Sequence, residues 1–142
     1  MNDLTFQEMT IEDYDQVFRL WQGTKGMGLS EADSRMNIEK FLERNQGLSF
    51  VCRDNETMIG TVLAGHDGRR GYIYHLAVTP EYRSRGIAKQ LILKSLQRLQ
   101  EAGIAKCHLF VFSDNELGKR FWTKAGWQKR IDIEVFSKTN PD

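Results

Sequence analysis

Cysteine and proline are scarce in this chain, with two of each among 142 residues. Cys52 and Cys107 stand far apart, so no short-spaced pair exists to clasp a metal or run a dithiol redox cycle, and both read as reduced structural thiols. Long apolar runs are also missing: nothing approaches the roughly 18 residues of a membrane-crossing helix. Met1-Asn2-Asp3-Leu4-Thr5 lacks the basic start and apolar stretch of a secretory leader. The expectation is a cytoplasmic protein with no metal and no membrane partner. Charge of one sign is not in surplus either, since 20 Lys plus Arg against 19 Asp plus Glu leave a net +1. That balance gives no global drive towards nucleic acid, so any anion must be held locally.

Enough apolar material is present for a core, at 40% hydrophobic and 11% aromatic residues. The length suits one domain spanning 1–142, at roughly 100–200 residues per domain. Leu4 to Met9 reads as a short strand, and Thr10 as the cap of a helix from about Ile11 to Gln22, with Ile11, Tyr14, Val17, Phe18 and Trp21 on one face. Gly23-Thr24-Lys25-Gly26-Met27-Gly28-Leu29 is too rich in glycine for regular structure and reads as a mobile loop. Ser30 to Asp33 has capping-box spacing and opens a second helix carrying Met36, Ile38, Phe41 and Leu42. Leu48 to Arg53, Thr57 to His66 and Gly71 to Val78 form an antiparallel meander. A long helix follows Pro80, with Ile87, Ala88, Leu91, Ile92, Ser95, Leu96, Leu99 and Ala102 on one face, and stops at Gly103. Strand (Lys106 to Phe112), helix (about Asn115 to Ala125) and a last strand (Ile131 to Phe136) then add a parallel crossover, so the class is α/β with a mixed sheet.

The stretch Leu76-Ala77-Val78-Thr79-Pro80-Glu81-Tyr82-Arg83-Ser84-Arg85-Gly86-Ile87-Ala88 is a strand, a turn and the first turn of a helix. Backbone N–H groups at a helix start lack partners and sit at the positive end of the dipole, where an anion docks. Gly86 lets a bulky ligand approach the backbone, Ala88 keeps the next turn small, and Arg83 and Arg85 supply charge, so phosphate or pyrophosphate is the natural guest. The plain alternative is a tight turn with solvated arginines. Nucleic-acid binding through Arg69, Arg70, Arg83 and Arg85 is disfavoured by their division between two turns.

This segment resembles the acyl-CoA signature of the GNAT superfamily of N-acetyltransferases, V-x-P-x-x-R-x-x-G-x-A/G after the fourth strand, filled here by Val78, Pro80, Arg83, Gly86 and Ala88. A second family block is matched by Asn115, Gly118 and Phe121-Trp122-Thr123-Lys124-Ala125-Gly126-Trp127. The resemblance covers nearly the whole chain. It is closest to small stand-alone bacterial-type members with a G-x-G-L-S loop and a G-H-D-G-R-R-G turn, here Gly26 to Ser30 and Gly65 to Gly71. It implies the GNAT fold, a mostly antiparallel sheet of about six to seven strands with helices on both faces and strands four and five splayed apart. It also implies acetyl transfer from acetyl-CoA to an amine in a ternary complex. Main-chain groups of Leu76, Ala77 and Val78 would hold the pantetheine, with the Val78 N–H as oxyanion donor. The pyrophosphate would lie over the N–H groups of Arg83, Ser84, Arg85, Gly86, Ile87 and Ala88. Asn115 would fix the pantetheine from the other side or, alternatively, merely cap its helix.

Two departures from the family pattern bear on the chemistry. Neither Tyr72 to Val78 nor Lys106 to Phe112 contains an acid to deprotonate the amine; the available groups are Tyr72, Tyr74, His75 and His108. His75 is the better base, since imidazole accepts a proton near neutral pH; Tyr72 is second, and packed roles remain open for both. Trp122 stands where the family commonly has the tyrosine that protonates the departing thiolate, and an indole is no usable acid. It is either a thiolate contact or a core aromatic beside Trp127. Acceptor recognition falls to the loop Gly23 to Ser30, to Glu31, Asp33, Glu39 and Glu43, and to the turn around His66 and Asp67, a carboxylate wall suited to a cationic small-molecule or peptide amine. A catalytically silent acyl-CoA sensor is the competing function. Exposed strand edges admit either a monomer or a homodimer.

Overall fold

The computed structural model describes residues 4–141. The chain divides into two compact units, Met1–Phe110 and Val111–Asp142. In the first, β1 (Leu4–Glu8) leads through a short 3-10 turn, Ile11–Asp13, into α1 (Tyr14–Gln22). A second 3-10 turn, Glu31–Asp33, precedes α2 (Arg35–Arg44). Then come β2 (Phe50–Asp54), β3 (Thr57–His66), β4 (Gly71–Val78), a third 3-10 turn at Pro80–Tyr82, α3 (Ile87–Glu101) and β5 (Cys107–His108). The strands lie in the order β1-β2-β3-β4-β5. All neighbours are antiparallel except β4 and β5, which pair in parallel at Gly71↔Cys107 and Tyr72↔His108.

Helices cover both faces. Strand parity places Val51, Thr61 and Ala77, which are partners in register, on the side of α1, while Gly60, paired with Cys52 and Val78, faces Leu91 and Ile87 of α3. Every residue of β3 from Met58 to Gly65 is therefore buried, which explains why this strand is apolar throughout rather than alternating. Val17 and Trp21 of α1 and Ile38 of α2 close the core on one face with Val51, Leu63 and Ala77. Each such fully buried side chain contributes on the order of 2 kcal/mol from area alone. At the end of α2, Asn45 is buried and its Oδ1 accepts the His66 N–H at 3.0 Å. Gly65 lies under this contact, where a Cβ would stand 2.7 Å from Phe41 and 2.8 Å from the Asn45 amide.

In the second unit α4 (Glu116–Lys124) is followed by residues without assigned secondary structure. Trp122 makes edge contacts with Phe121 and Trp127, at 5.1 and 5.3 Å between ring centroids.

Several expectations require correction. The sheet has five strands among the described residues, not six or seven. Ile131 to Phe136 keeps the alternation of a strand but has no ladder partner there, and Ile131 and Phe136 are 88% and 92% exposed. The strand expected over Lys106 to Phe112 shrinks to Cys107–His108, because β4 bends at a bulge and pairing with β5 stops at Tyr72. The first helix starts as a 3-10 turn. The capping box at Ser30 closes another such turn rather than α2, whose own cap is Ser34, with its Oγ accepting the Asn37 N–H. The glycine-rich loop is anchored, since Met27 and Leu29 pack against the core cluster.

Burial in β2 pushes the Cys52 thiol up to about 11, with Asp54 adding to the effect, and burial also raises the Cys107 thiol. At pH 8 only about one Cys52 in a thousand is then thiolate. Native protein is expected to leave Cys52 unmodified by a disulfide-exchange reagent over an hour, with labelling appearing on unfolding; prompt native labelling of Cys52 would contradict its assigned environment.

Candidate active site

The site is built around the bend in β4. Between Thr61 and Leu63 of β3 the register with β4 shifts, and His75, within the bulge, has a left-handed backbone with φ of 45°. Histidine is among the side chains that tolerate this conformation at moderate cost. The bulge re-aims the imidazole towards α1 and the turn ahead of α2. There His75 Nε2 lies 2.7 Å from Asp33 Oδ1, and the ring packs against Trp21 with centroids 4.7 Å apart. Trp21 Nε1 donates to Thr61 Oγ1 at 3.0 Å, and that hydroxyl donates to the His75 carbonyl at 3.3 Å. Asp33 is itself fixed, because its Oδ2 accepts the Ser30 N–H at 3.0 Å and its carbonyl accepts the Tyr14 hydroxyl at 2.6 Å. Desolvation, with the Asp33 charge adding, raises the Tyr14 hydroxyl above its ordinary value and keeps it a donor.

Beyond Tyr72, the edge of β4 that faced β5 has no ladder partner among the described residues, so the backbone of Ile73 to Val78 has polar groups to offer along it. This is the splay expected of strands four and five, and it includes Leu76, Ala77 and Val78. Tyr72 is half-buried and its ring lies 6.1 Å from Tyr74, 5.8 Å from His108 and 6.2 Å from Phe110. Tyr72 thus belongs to an aromatic row, with Tyr74 raised in pKa chiefly by burial.

The chain then turns through Pro80–Tyr82 into α3. Tyr82 is tied by its hydroxyl to Asp54, a contact that raises its pKa, and the Arg85 guanidinium covers its ring at 5.0 Å. Arg83 Nε donates to the Val78 carbonyl at 3.0 Å, which holds the loop against the strand end. Ser84 and Gly86 both have left-handed backbones, with φ of 65° and 80°, and Gly86 is the α3 N-cap. The first helical bond runs from the Gln90 N–H to the Gly86 carbonyl, so the N–H groups of Ile87, Ala88 and Lys89 point out of the helix end. No side chain caps this terminus, and a Cβ on Gly86 would meet nothing within 4 Å. An open, uncapped helix start flanked by Arg83 and Arg85 suits a diphosphate. On the α1 side of the same strand end, a cavity of about 490 Å³ is lined by residues that include Arg19, Thr24, Met58, Thr79 and Arg83.

Asn115 caps α4 in the second unit, its Oδ1 accepting the Gly118 N–H at 2.9 Å. Gly118 is small because a Cβ there would lie 2.6 Å from the Asn115 amide. The cap occupies the oxygen and leaves the Nδ2 group as the donor for any ligand. The expected carboxylate wall is uneven: Glu31, Glu39 and Glu43 are exposed, whereas Asp33 is buried and committed to His75. Asp67 accepts the N–H groups of Arg69 and Arg70 at 2.8 Å each, so it shapes its own turn, and those bonds lower its pKa. Asp33 as the partner of His75 is the residue that sequence reasoning missed, since its capping-box position signals only the turn.

The fold is that of N-acetyltransferases. A PaiA N-acetyltransferase from Thermoplasma acidophilum, solved with coenzyme A, superposes with a TM-score of 0.74 at 22% identity, covering 89% of this chain and 90% of that one. An aminoglycoside acetyltransferase from an uncultured soil metagenomic sample, solved with sisomicin, gives 0.75 at 19% identity over 97% of both chains. An acetyltransferase of Yersinia pestis (strain Pestoides F) is 35% identical over 124 residues, which is 87% of this chain and 83% of the relative. Residues 14–127 match the Acetyltransferase (GNAT) family, and the chain belongs to that family, as an acetyl-CoA-dependent N-acetyltransferase.

Proposed function

We propose that the protein transfers an acetyl group from acetyl-CoA to a primary amine of a small molecule or peptide, by direct attack in a ternary complex, and that 1–142 works as one acetyltransferase domain. The family match supports the latter, since it includes residues of both units. The observation that carries the reading is the loss of β4–β5 pairing after Tyr72, directly upstream of an uncapped helix start. The residues fit the donor: the backbone of Leu76, Ala77 and Val78 meets the pantetheine, and the N–H groups of Ser84, Arg85, Gly86, Ile87 and Ala88 meet the diphosphate, whereas the Arg83 N–H, expected among them, is bonded to the Pro80 carbonyl at 3.2 Å. The donor supplies an activated acetyl thioester. Val78 N–H stabilises the oxyanion that forms on acyl transfer. His75 removes a proton from the acceptor ammonium, which at neutral pH is otherwise mostly protonated. On the second unit, Asn115 offers an amide donor and Trp122 an apolar surface. Trp122 offers no acid, so the thiolate departs as the anion, tolerable for a thiol of ordinary pKa about 8.5. Tyr72 belongs to the aromatic wall on the acceptor side.

A panel of amino acids, polyamines, aminoglycosides and peptides, assayed by release of free CoA thiol, tests the reading. At least one amine is expected to give turnover at about 1 per second or faster. Tight acetyl-CoA binding without turnover on any class would favour the silent sensor instead.

A further inference from the structure

We infer that Asp33 is a positioning residue for the proton-accepting step, and that it makes Nδ1 of His75, rather than Nε2, the nitrogen that takes the proton from the acceptor amine. The inference rests on the proposed role of His75. It starts from a contact across 42 residues of sequence, His75 Nε2 to Asp33 Oδ1 at 2.7 Å, between side chains 17% and 8% exposed. A carboxylate only accepts hydrogen bonds, so Nε2 carries the hydrogen and the lone pair of the neutral ring lies on Nδ1. Among the described residues, the one buried side-chain polar atom without a partner is Thr79 Oγ1. Nδ1, with no protein partner there, therefore keeps contact with solvent, the side from which an amine would have to come. The carboxylate cannot swing away, because its second oxygen holds the Ser30 N–H and its carbonyl holds the Tyr14 hydroxyl.

The step balances simply. Nδ1 accepts one proton from R–NH3+, giving imidazolium and R–NH2. The amine nitrogen bonds to the thioester carbon, the C–S bond breaks, and the second proton lost from nitrogen as the amide forms neutralises the thiolate. The imidazolium returns its proton to solvent. Asp33 orients the ring and stabilises that imidazolium, as the carboxylate does in a Ser-His-Asp triad. Asp33 from the 3-10 turn and Trp21 from α1 meet the ring and Thr61 of β3 bonds the His75 carbonyl, while Tyr14 bonds the Asp33 carbonyl with Arg35 beyond, 5.8 Å above the Tyr14 ring. Asp33 is the nearest charge.

The same carboxylate oxygen pair also ties the base to the end of the loop 23–30 through Ser30. The glycine-rich loop and the base are thus registered to each other by one side chain.

The test replaces Asp33 by asparagine, which keeps size and the Ser30 contact but offers an N–H2 to Nε2 and so favours the other tautomer. Asp33→Asn is expected to lower kcat about 10- to 100-fold on the best amine from the panel. It is also expected to shift the acid limb of the rate–pH profile and to leave acetyl-CoA affinity, read by calorimetry, within about 3-fold. Long-range 15N–1H correlation of the His75 ring is expected to report Nε2–H in the parent protein and Nδ1–H in the variant. Asp33→Glu, should Asp33→Asn fail to fold, keeps the carboxylate and is expected to retain the Nε2–H tautomer. The inference is overturned if the parent ring carries its hydrogen on Nδ1, or if kcat and the acid limb are unchanged in Asp33→Asn while His75→Ala is inactive. An active His75→Ala would instead remove the role of His75 on which the inference rests.

Discussion

Gly86→Glu is expected to weaken acetyl-CoA binding at least about 100-fold, or roughly 2.7 kcal/mol, without unfolding the protein. Two separate costs add. Gly86 sits at φ of 80°, where a residue with a Cβ is strained by about 1 kcal/mol or more, so the loop relaxes away from the shape that presents the helix N–H groups. The second cost is charge, because a carboxylate at the uncapped start of α3 satisfies those donors itself and repels a diphosphate. Fold integrity follows from the open space around the position, where a Cβ meets nothing within 4 Å. Gly86→Ala separates the terms, since it carries the strain without the charge, and a loss of about 5-fold is expected. Calorimetric titration with acetyl-CoA, alongside thermal melts of each variant, gives both readouts. Unchanged affinity in Gly86→Glu would mean that the diphosphate lies elsewhere.

The shape of that loop was legible in the sequence because its signals are local. Val78, Pro80, Arg83, Gly86 and Ala88 lie within a few residues of one another, and a strand end, a turn and a helix start impose their own spacing. The meander β2–β3–β4 and the long α3 were legible for the same reason, since period and turn residues are short-range signals. The Asp33–His75 pair was not. Capping-box spacing from Ser30 to Asp33 accounts for one carboxylate oxygen, and nothing within the sequence window shows where the other points. Only the fold brings a residue of the second 3-10 turn against a bulge in β4. The strands carry no acid of their own, and the carboxylate beside His75 comes from outside them. Ile131 to Phe136 illustrates the converse: alternation identifies a segment that suits a sheet but cannot name its partner.

His75→Ala is expected to lower kcat about 100- to 10,000-fold, the range for removing a positioned general base, while changing acetyl-CoA affinity less than about 3-fold. The sign of the pH effect follows from the chemistry. A base works only when deprotonated, so activity in the parent protein falls as the base takes up a proton at low pH, and that limb disappears in the variant. What remains is the limb set by the acceptor amine itself. The left-handed backbone at His75 complicates alanine, which loses both the ring and a side chain tolerant of φ near 45°. His75→Asn answers this, because asparagine accepts the conformation, yet its amide has no basic site. Equal loss in both variants assigns the effect to proton transfer, whereas loss in His75→Ala alone assigns it to the bulge. Added imidazole is expected to recover part of the rate in the alanine variant, whose vacated space adjoins Trp21 and Asp33. An unaltered rate–pH profile in both variants would pass the role of base to water or to Tyr72.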